Sequence, residues 1–168
     1  MSPVHCQFPT INNQLITMKQ IIAFVLLLCS QLAYAQKQAP AFNQSLADSL
    51  GADKYGMKMY VMVILKTGTA TITDKATVDS LFKGHMDNIG SLADRGKLVV
   101  AGPFQKNDKQ YRGIFILNTK SLEEAKVLLQ TDPAIKANLL DTEIFNWYGS
   151  AALPLYLKYH PEVTKEGH

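Results

Sequence analysis

Residues 73–104, TDKATVDSLFKGHMDNIGSLADRGKLVVAGPF, limit most strongly what this chain can fold into. At about 100° per residue the stretch predicts an amphipathic helix from Thr73 or Asp74 to about residue 95. His85 lies in the middle of the apolar face of that helix. The face is otherwise built from Val78, Leu81, Phe82, Ile89 and Leu92. A histidine directed at the core of a small domain is either satisfied structurally or does chemistry.

Glycine and proline end the helix and the strand of this stretch. Gly96 is typical of a helix C-terminus, and residues 97–101, KLVVA, then predict a short strand. Gly102-Pro103-Phe104 closes that strand as a turn. Residues 105–110 are polar and predict a hairpin connection to the next strand.

The rest of the chain from residue 57 onward alternates strands and helices. Apolar runs predict strands at 57–65 (MKMYVMVIL), 111–117 (YRGIFIL) and 140–147 (LDTEIFNW). Ser121 and Glu124 have the spacing of a capping box and predict a helix that ends near residue 131. Asp132-Pro133 begins one further helical turn, to residue 137.

The resulting order, strand-helix-strand-strand-helix-strand, predicts an α+β fold of the ferredoxin-like βαββαβ type. Two right-handed β-α-β units give a four-stranded antiparallel sheet with both helices on one face. Tyr60, Met62 and Ile64 make the other face apolar as well, so that face needs a cover. We expect a homodimer that packs sheet on sheet, with the aromatic C-terminal tail over the same face or over the partner.

Composition excludes some functions. The 168 residues are 47% hydrophobic and 18% charged with a net charge of +3, which is typical of a globular domain. Lys and Arg do not cluster beyond pairs, so no nucleic-acid partner is indicated. Cys6 and Cys29 have no metal-site or redox spacing. No serine or cysteine nucleophile motif and no phosphate loop occurs, and no cofactor is implied.

The N-terminal region is typical of a signal peptide. Met18 and Lys19 precede the apolar run IIAFVLLLC, and Ala33-Tyr34-Ala35 is a small-x-small cleavage site. The run is too short to span a bilayer, which takes about 20 residues. A lipoprotein site at Cys29 is disfavoured because three leucines precede it. We therefore expect a signal peptide at 1–35 with its true start at Met18, cleavage after Ala35, and an exported protein, periplasmic or secreted, with no membrane span after cleavage.

The mature chain is then predicted to have three parts. Residues 36–56 form a leader with a short helix at 42–50, residues 57–148 form the domain, and residues 149–168 form an aromatic tail.

The motifs of residues 57–147 together resemble the YCII-related family. The resemblance rests on the YVMVIL strand, the helix with His85, the GKLVVAGPF segment, the YRGIFIL strand, the EEAK helix and the Asp132-Pro133 turn. It implies a dimeric α+β barrel of ferredoxin-like subunits. It also implies an active site made of His85 and Asp132, and relatives that include small-molecule lyases, isomerases and dehydrohalogenases.

Each candidate residue also has a structural interpretation. His85 is either a core histidine bound to a backbone carbonyl or a general acid/base. Asp132 either caps a short helix or orients His85. Gly102, Pro103 and Phe104 are either a structural turn or a substrate-binding wall, in which the Gly102 backbone allows close approach and Phe104 is the wall.

The other polar residues give weaker indications of function. Arg112 and Glu143 are expected to be in exposed ion pairs unless they bind substrate. His160 and His168 are assigned no role, and Tyr148, Tyr156 and Tyr159 are expected to pack. A metal site needs more ligands than His85 and Asp132 supply, unless a dimer adds a second set.

The residues are compatible with three hypotheses. The first is a cofactor-independent enzyme that acts on a small organic molecule by proton transfer, lyase- or isomerase-like, with a His85–Asp132 pair. The second is a non-catalytic exported dimer that binds a small ligand or another protein. The third is haem ligation by His85. An open cavity beside His85 and the distance from His85 to Asp132 discriminate the first two.

Overall fold

The computed structural model describes residues 20–21 and 41–165. Nearly all of the predicted signal peptide, its cleavage site and both cysteines lie outside the described residues. The elements, in chain order, are α1 (Gln44–Leu50), β1 (Met57–Thr67), α2 (Lys75–Asp94), β2 (Leu98–Pro103), β3 (Tyr111–Leu117), α3 (Leu122–Leu129), α4 (Pro133–Lys136), β4 (Leu140–Ser150), a 3₁₀ segment (Leu153–Tyr159) and α5 (His160–Val163).

The four strands form one antiparallel sheet in the order β2-β3-β1-β4. β1 is one of the two inner strands, and its sequence is apolar on both faces because Val61, Val63 and Leu65 belong to the main core while Tyr60 and Met62 belong to a second cluster on the opposite face. β1 pairs with β4 over its whole length, from Met57 opposite Ser150 to Thr67 opposite Leu140. The α+β, ferredoxin-like fold predicted from the sequence is confirmed, and β1 and β4 are longer than predicted because they extend each other by pairing.

Polar side chains begin the helices where the sequence indicated. The side chain of Asp74 accepts a hydrogen bond from Thr77 N, and that of Ser121 accepts one from Glu124 N. The second half of the predicted capping box is absent, since the Glu124 carboxylate binds Lys97 (2.8 Å) and the Thr119 hydroxyl (2.6 Å) instead. The contact between Glu124 and Lys97 joins the start of α3 to the residue before β2.

The helix-facing side of the sheet holds the main core. Its buried residues come from all four strands and from helices α2, α3 and α4, and include Val61, Val63, Leu92, Leu98, Phe115, Leu117 and Leu129. His85 and Asp132, exposed by only 8% and 0%, lie in the same layer. Burying two ionisable groups in an apolar layer is costly unless they are paired, so their contact matters for the fold as well as for the site.

The opposite face of the sheet has a smaller apolar cluster. Tyr60, Val99 and Ile116 are buried there, and Leu153 from the C-terminal tail packs against them. Phe145 pairs with Met62 across the strands and remains 45% exposed. The tail therefore covers one part of this face, and a homodimer over the remainder stays a prediction.

The leader contains the predicted short helix, with Asn43 as its N-cap and Gly51 ending it at φ +67°. After it, the Asp53 carboxylate accepts backbone hydrogen bonds from Tyr55 and Met57 and one from the Tyr148 hydroxyl on β4. The Tyr148 hydroxyl, with the backbone amides, lowers the pKa of Asp53. This carboxylate joins the leader to the end of β4.

None of the helices in the part of the chain that is described has the length and apolarity needed to cross a membrane.

Candidate active site

A glycine lets α2 approach α4 closely. A Cβ atom at Gly84 would lie 2.8 Å from Cγ of Pro133, closer than real Cβ contacts allow. Gly costs about 1 kcal/mol relative to Ala inside a helix, so its presence in mid-helix has a packing reason here. The close approach places the next residue, His85, against Asp132, the residue before Pro133.

The two predicted site residues are in contact. Nδ1 of His85 lies 2.6 Å from Oδ2 of Asp132, a distance typical of a strong, charge-assisted hydrogen bond. The other carboxylate oxygen, Oδ1, accepts from Ala134 N at 2.9 Å and from Ile135 N at 3.3 Å. Asp132 therefore caps α4 and holds His85 at the same time, and both interpretations of this residue describe what it contacts.

Two aromatic rings fix the plane of the imidazole. Phe115 on β3 stacks on it, with ring centroids 5.9 Å apart at 22°, and Phe82 meets it edge-on at 6.3 Å and 87°. Since Asp132 binds Nδ1, Nε2 is the ring nitrogen left for a molecule in the cavity that His85 lines. The arrangement holds the ring in one plane and leaves one ring nitrogen without a partner among the described residues.

A cavity of about 500 Å³ lies beside His85, between α2, β2, β3 and the C-terminal tail. This is the size of a small-molecule site. Gly102 and Pro103 lie in its wall. The sequence predicted a turn at these residues, but both belong to β2 and pair with residues of β3, because the hairpin connection begins only after Pro103. Phe104 does not belong to the described wall: it is 44% exposed, and its ring lies 6.4 Å from that of Tyr111. The substrate-binding roles of these three residues stay predictions.

Sequence reasoning missed the contribution of the C-terminal tail. Tyr156, Leu157 and His160 all line the cavity. The Tyr156 hydroxyl donates a hydrogen bond to the backbone carbonyl of Val99 on the edge strand β2, which explains how the tail is held there. The density of aromatic residues in the tail was the available signal, but it does not indicate which face of the sheet the tail will cover.

Arg112 and Glu143, both expected in exposed ion pairs, have different surroundings in the structure. Glu143 pairs with Lys66 at 2.9 Å on the outer sheet face, as expected for a surface residue. Arg112 instead contributes to the cavity wall. Its backbone carbonyl accepts a hydrogen bond from Phe104 N at 2.9 Å, so the β2–β3 hairpin fixes its position.

A second polar contact joins α2 to the segment before α4. The Thr131 hydroxyl lies 2.8 Å from the Asn88 side chain and 2.7 Å from the Leu128 carbonyl oxygen. A hydroxyl has one proton, and Nδ2 of Asn88 is buried with no partner when Oδ1 faces Thr131. With the amide turned, Nδ2 donates to Thr131 and Thr131 donates to Leu128, so the buried nitrogen gains a partner. This contact holds Thr131, the residue before Asp132, against Asn88, which lies about one helical turn after His85.

Among residues 20–21 and 41–165, no group of three or more His, Cys, Asp or Glu side chains is placed to hold a metal ion. Haem ligation by His85 is untested and stays a prediction.

The protein is thus an α+β domain with an antiparallel sheet, in which a buried His–Asp pair lies beside a small cavity. A sequence model of the YCII-related domain matches residues 59–148, more than half of the chain. The chain belongs to the YCII-related family, which confirms the resemblance found in its motifs.

Among solved structures, the fold is similar to that of 5-chloro-2-hydroxyhydroquinone dehydrochlorinase (TftG) from Burkholderia phenoliruptrix AC1100, determined in complex with 2,5-dihydroxybenzoquinone. The sequences are 21% identical, the match covers 52% of this chain and 92% of that one, and the TM-score is 0.38. No curated protein matches the sequence.

Proposed function

We propose that this protein is a cofactor-independent enzyme that transfers protons to or from a small organic molecule, in the manner of a lyase or isomerase. The observation that carries the proposal is the hydrogen bond of 2.6 Å between Nδ1 of His85 and Asp132. This pair opens onto a cavity of about 500 Å³. A core histidine bound to a backbone carbonyl would not need a buried carboxylate.

His85 is the proposed general acid/base and Asp132 the positioning residue. With Nδ1–H donated to Asp132, Nε2 carries the lone pair that accepts a proton from a molecule in the cavity. The carboxylate stabilises the positive charge that the ring then gains, as in other His–Asp pairs. When Nε2 returns the proton to a different atom of the substrate, the result is an isomerisation. When the electron pair of the broken C–H bond instead forms a double bond and expels a leaving group, the result is an elimination, and Nε2 then gives its proton to the leaving group or to water.

The cavity also bears on the second hypothesis, a dimer that binds a ligand without turnover. A filled core beside His85 would favour the second hypothesis, whereas an open cavity lined by His85 supports the first. The proposed enzyme is an exported homodimer joined through the outer sheet face. Sedimentation of the chain starting at Gln36 tests the dimer, and mass spectrometry of the protein recovered from a cell envelope fraction tests cleavage after Ala35.

The tautomer of His85 provides a direct test of the pair. Free histidine carries its proton mainly on Nε2, whereas the proposed pair needs Nδ1–H to donate to the Asp132 carboxylate. We expect ¹⁵N NMR of labelled protein to show an Nδ1–H ring for His85, and the Asp132→Asn variant to lose that signature. An Nε2–H ring in the unaltered protein would eliminate the proposed mechanism.

Proton transfer itself can be followed without knowing the substrate. A panel of small carbonyl and phenolic compounds in D₂O is monitored for deuterium uptake at carbon. We expect uptake that the unaltered protein catalyses and that His85→Gln abolishes. The matched control is Lys83→Gln, which changes an exposed residue of the same helix that pairs only with Asp87. Uptake that survives in His85→Gln would contradict the assignment.

A further inference from the structure

The C-terminal segment, residues 153–163, is the part of the cavity wall with the weakest attachment to the core. We call it the strap; it consists of the 3₁₀ segment and α5. Neither of these two elements contains a buried residue. The other elements of the wall, α2 and the four strands, all contribute buried side chains to the core. A side of the wall that moves while the core stays packed is therefore the strap.

The strap begins next to a fixed point of the chain. The backbone amide of Ala151 donates a hydrogen bond to the Gly56 carbonyl at 2.9 Å, and Ala151 is buried. The next residue, Ala152, is exposed, and the strap starts directly after it. A change of backbone angles at one such residue is enough to turn a segment that follows a packed element. Ala152 is thus placed to act as a hinge that leaves β4 undisturbed.

Two contacts hold the strap against the sheet. The side chain of Leu153, itself only partly buried, packs on the apolar cluster of the outer sheet face. Farther along, the Tyr156 hydroxyl donates a hydrogen bond to the carbonyl oxygen of Val99 on β2. One neutral hydrogen bond and one partly buried leucine stabilise a contact only modestly. The strap is therefore expected to open far more often than the domain unfolds.

The Val99 carbonyl is available to the strap because β2 is irregular at this residue. The register between the edge strand β2 and β3 shifts between Leu98 and Val100, so Val99 is the extra residue of a β-bulge. The extra residue of a bulge is left out of the ladder, and bulges are frequent at sheet edges and beside active sites. Val99 and Tyr156 both line the cavity, so their hydrogen bond joins the strap to the sheet within the cavity wall.

We propose that the strap is a gate to the cavity beside His85. It swings about Ala152 when the bond between Tyr156 and Val99 breaks, admits a small molecule, and closes again over it. The inference rests on the proposed function, since it concerns access to the same site. With the strap in place His85 is only 8% exposed, and exclusion of bulk water strengthens the electrostatic interactions that proton transfer uses.

The reactivity of the His85 ring measures the opening. Diethyl pyrocarbonate reacts with an unprotonated imidazole nitrogen, and mass spectrometry follows the product residue by residue. When the strap opens and closes faster than the reagent reacts, the rate at His85 is proportional to the open fraction. We expect Tyr156→Phe to raise that rate about fivefold, the effect of one neutral hydrogen bond on an equilibrium. Leu153→Ala weakens the other contact and should raise the rate as well.

Matched controls separate the gate from other causes. Tyr159→Phe makes the same change at another strap residue, which is 52% exposed and does not belong to the described wall, so it should leave the rate at His85 unchanged. His160 is exposed on the strap and serves as the internal reference for the reagent. Amide hydrogen exchange of β1 in the same samples reports opening of the whole domain, and we expect Tyr156→Phe to leave it unchanged.

Two results would overturn the inference. One is an equal rate at His85 in Tyr156→Phe and in the unaltered protein, including no reaction in either. The other is an increase that the amides of β1 share, since the domain and not the strap would then be opening. Each rate is compared with that of the unaltered protein, so the intrinsic reactivity of the ring cancels. A negative result therefore leaves the proposed acid/base function intact, and a failure to catalyse deuterium uptake would leave the gate intact.

Discussion

Replacing Asp132 by alanine tests how far the fold depends on the pair. The change removes the cap of α4, which is worth about 1 kcal/mol, and the charged hydrogen bond to His85, which is worth about 2 kcal/mol in a buried site. We expect the free energy of unfolding to fall by about 3 kcal/mol. For a domain of this size that corresponds to a fall in Tm of about 10 °C. Asp132→Asn keeps an oxygen for the cap, so its cost should be about half.

The assay is a double-mutant cycle by urea denaturation, with His85→Ala, Asp132→Ala and the double variant. Removing His85 alone leaves a buried carboxylate without its partner, so the two single changes should not add. We expect a coupling free energy of about 2 kcal/mol, within the range for residues in direct contact. A coupling below about 0.5 kcal/mol would show that the two side chains do not depend on each other, and the reasoning about the pair would fail.

Two further predictions concern backbone space and acid stability. A Cβ atom at Gly113 would lie 2.7 Å from the Gly102 carbonyl oxygen, whereas one at Gly102 meets nothing within 4 Å. Thermal unfolding should therefore show that Gly113→Ala lowers the free energy of unfolding by about 1–3 kcal/mol and that Gly102→Ala hardly changes it. Equal Tm values for the two variants would contradict this. Hydrogen bonds from the Tyr148 hydroxyl and from backbone amides lower the pKa of Asp53 in the folded protein. The ionised carboxylate therefore stabilises the fold above the ordinary carboxyl pKa of about 4, and this stabilisation is lost as the pH falls through the lower folded-state pKa. Tm measured between about pH 5 and pH 2 should fall less steeply in Asp53→Asn than in the unaltered chain, and an unchanged slope would refute the assignment.

The sequence was sufficient for the sheet and its helices because local signals and periodicity agreed. β3 has the bounds its apolar run predicted, and Asp74, Ser121 and Asp132 cap helices as their positions indicated. His85 was identifiable because a histidine in an apolar helical face conflicts with the pattern around it. Such conflicts between local chemistry and the surrounding pattern are expected at functional sites.

The position of the C-terminal tail along the cavity was not predictable by the same means. Leu153, Leu155 and Leu157 alternate as in a strand, yet the segment forms a 3₁₀ turn that begins at Leu153, and its position depends on long-range contacts such as the one between Tyr156 and Val99. Gly84 was also missed, since its significance depends on a contact with Pro133, which lies far along the chain.

The double use of Asp132 has a consequence for how relatives of this chain should be compared. Because its two carboxylate oxygens serve different partners, one the backbone of α4 and the other His85, a relative that lost its chemistry would still be selected to keep the aspartate for stability. Asp132 is thus a marker of the fold and a poor marker of activity. Under the proposed function His85 is the residue that exchanges the proton, so a relative that keeps the aspartate and lacks the histidine is expected to fold and to be inactive.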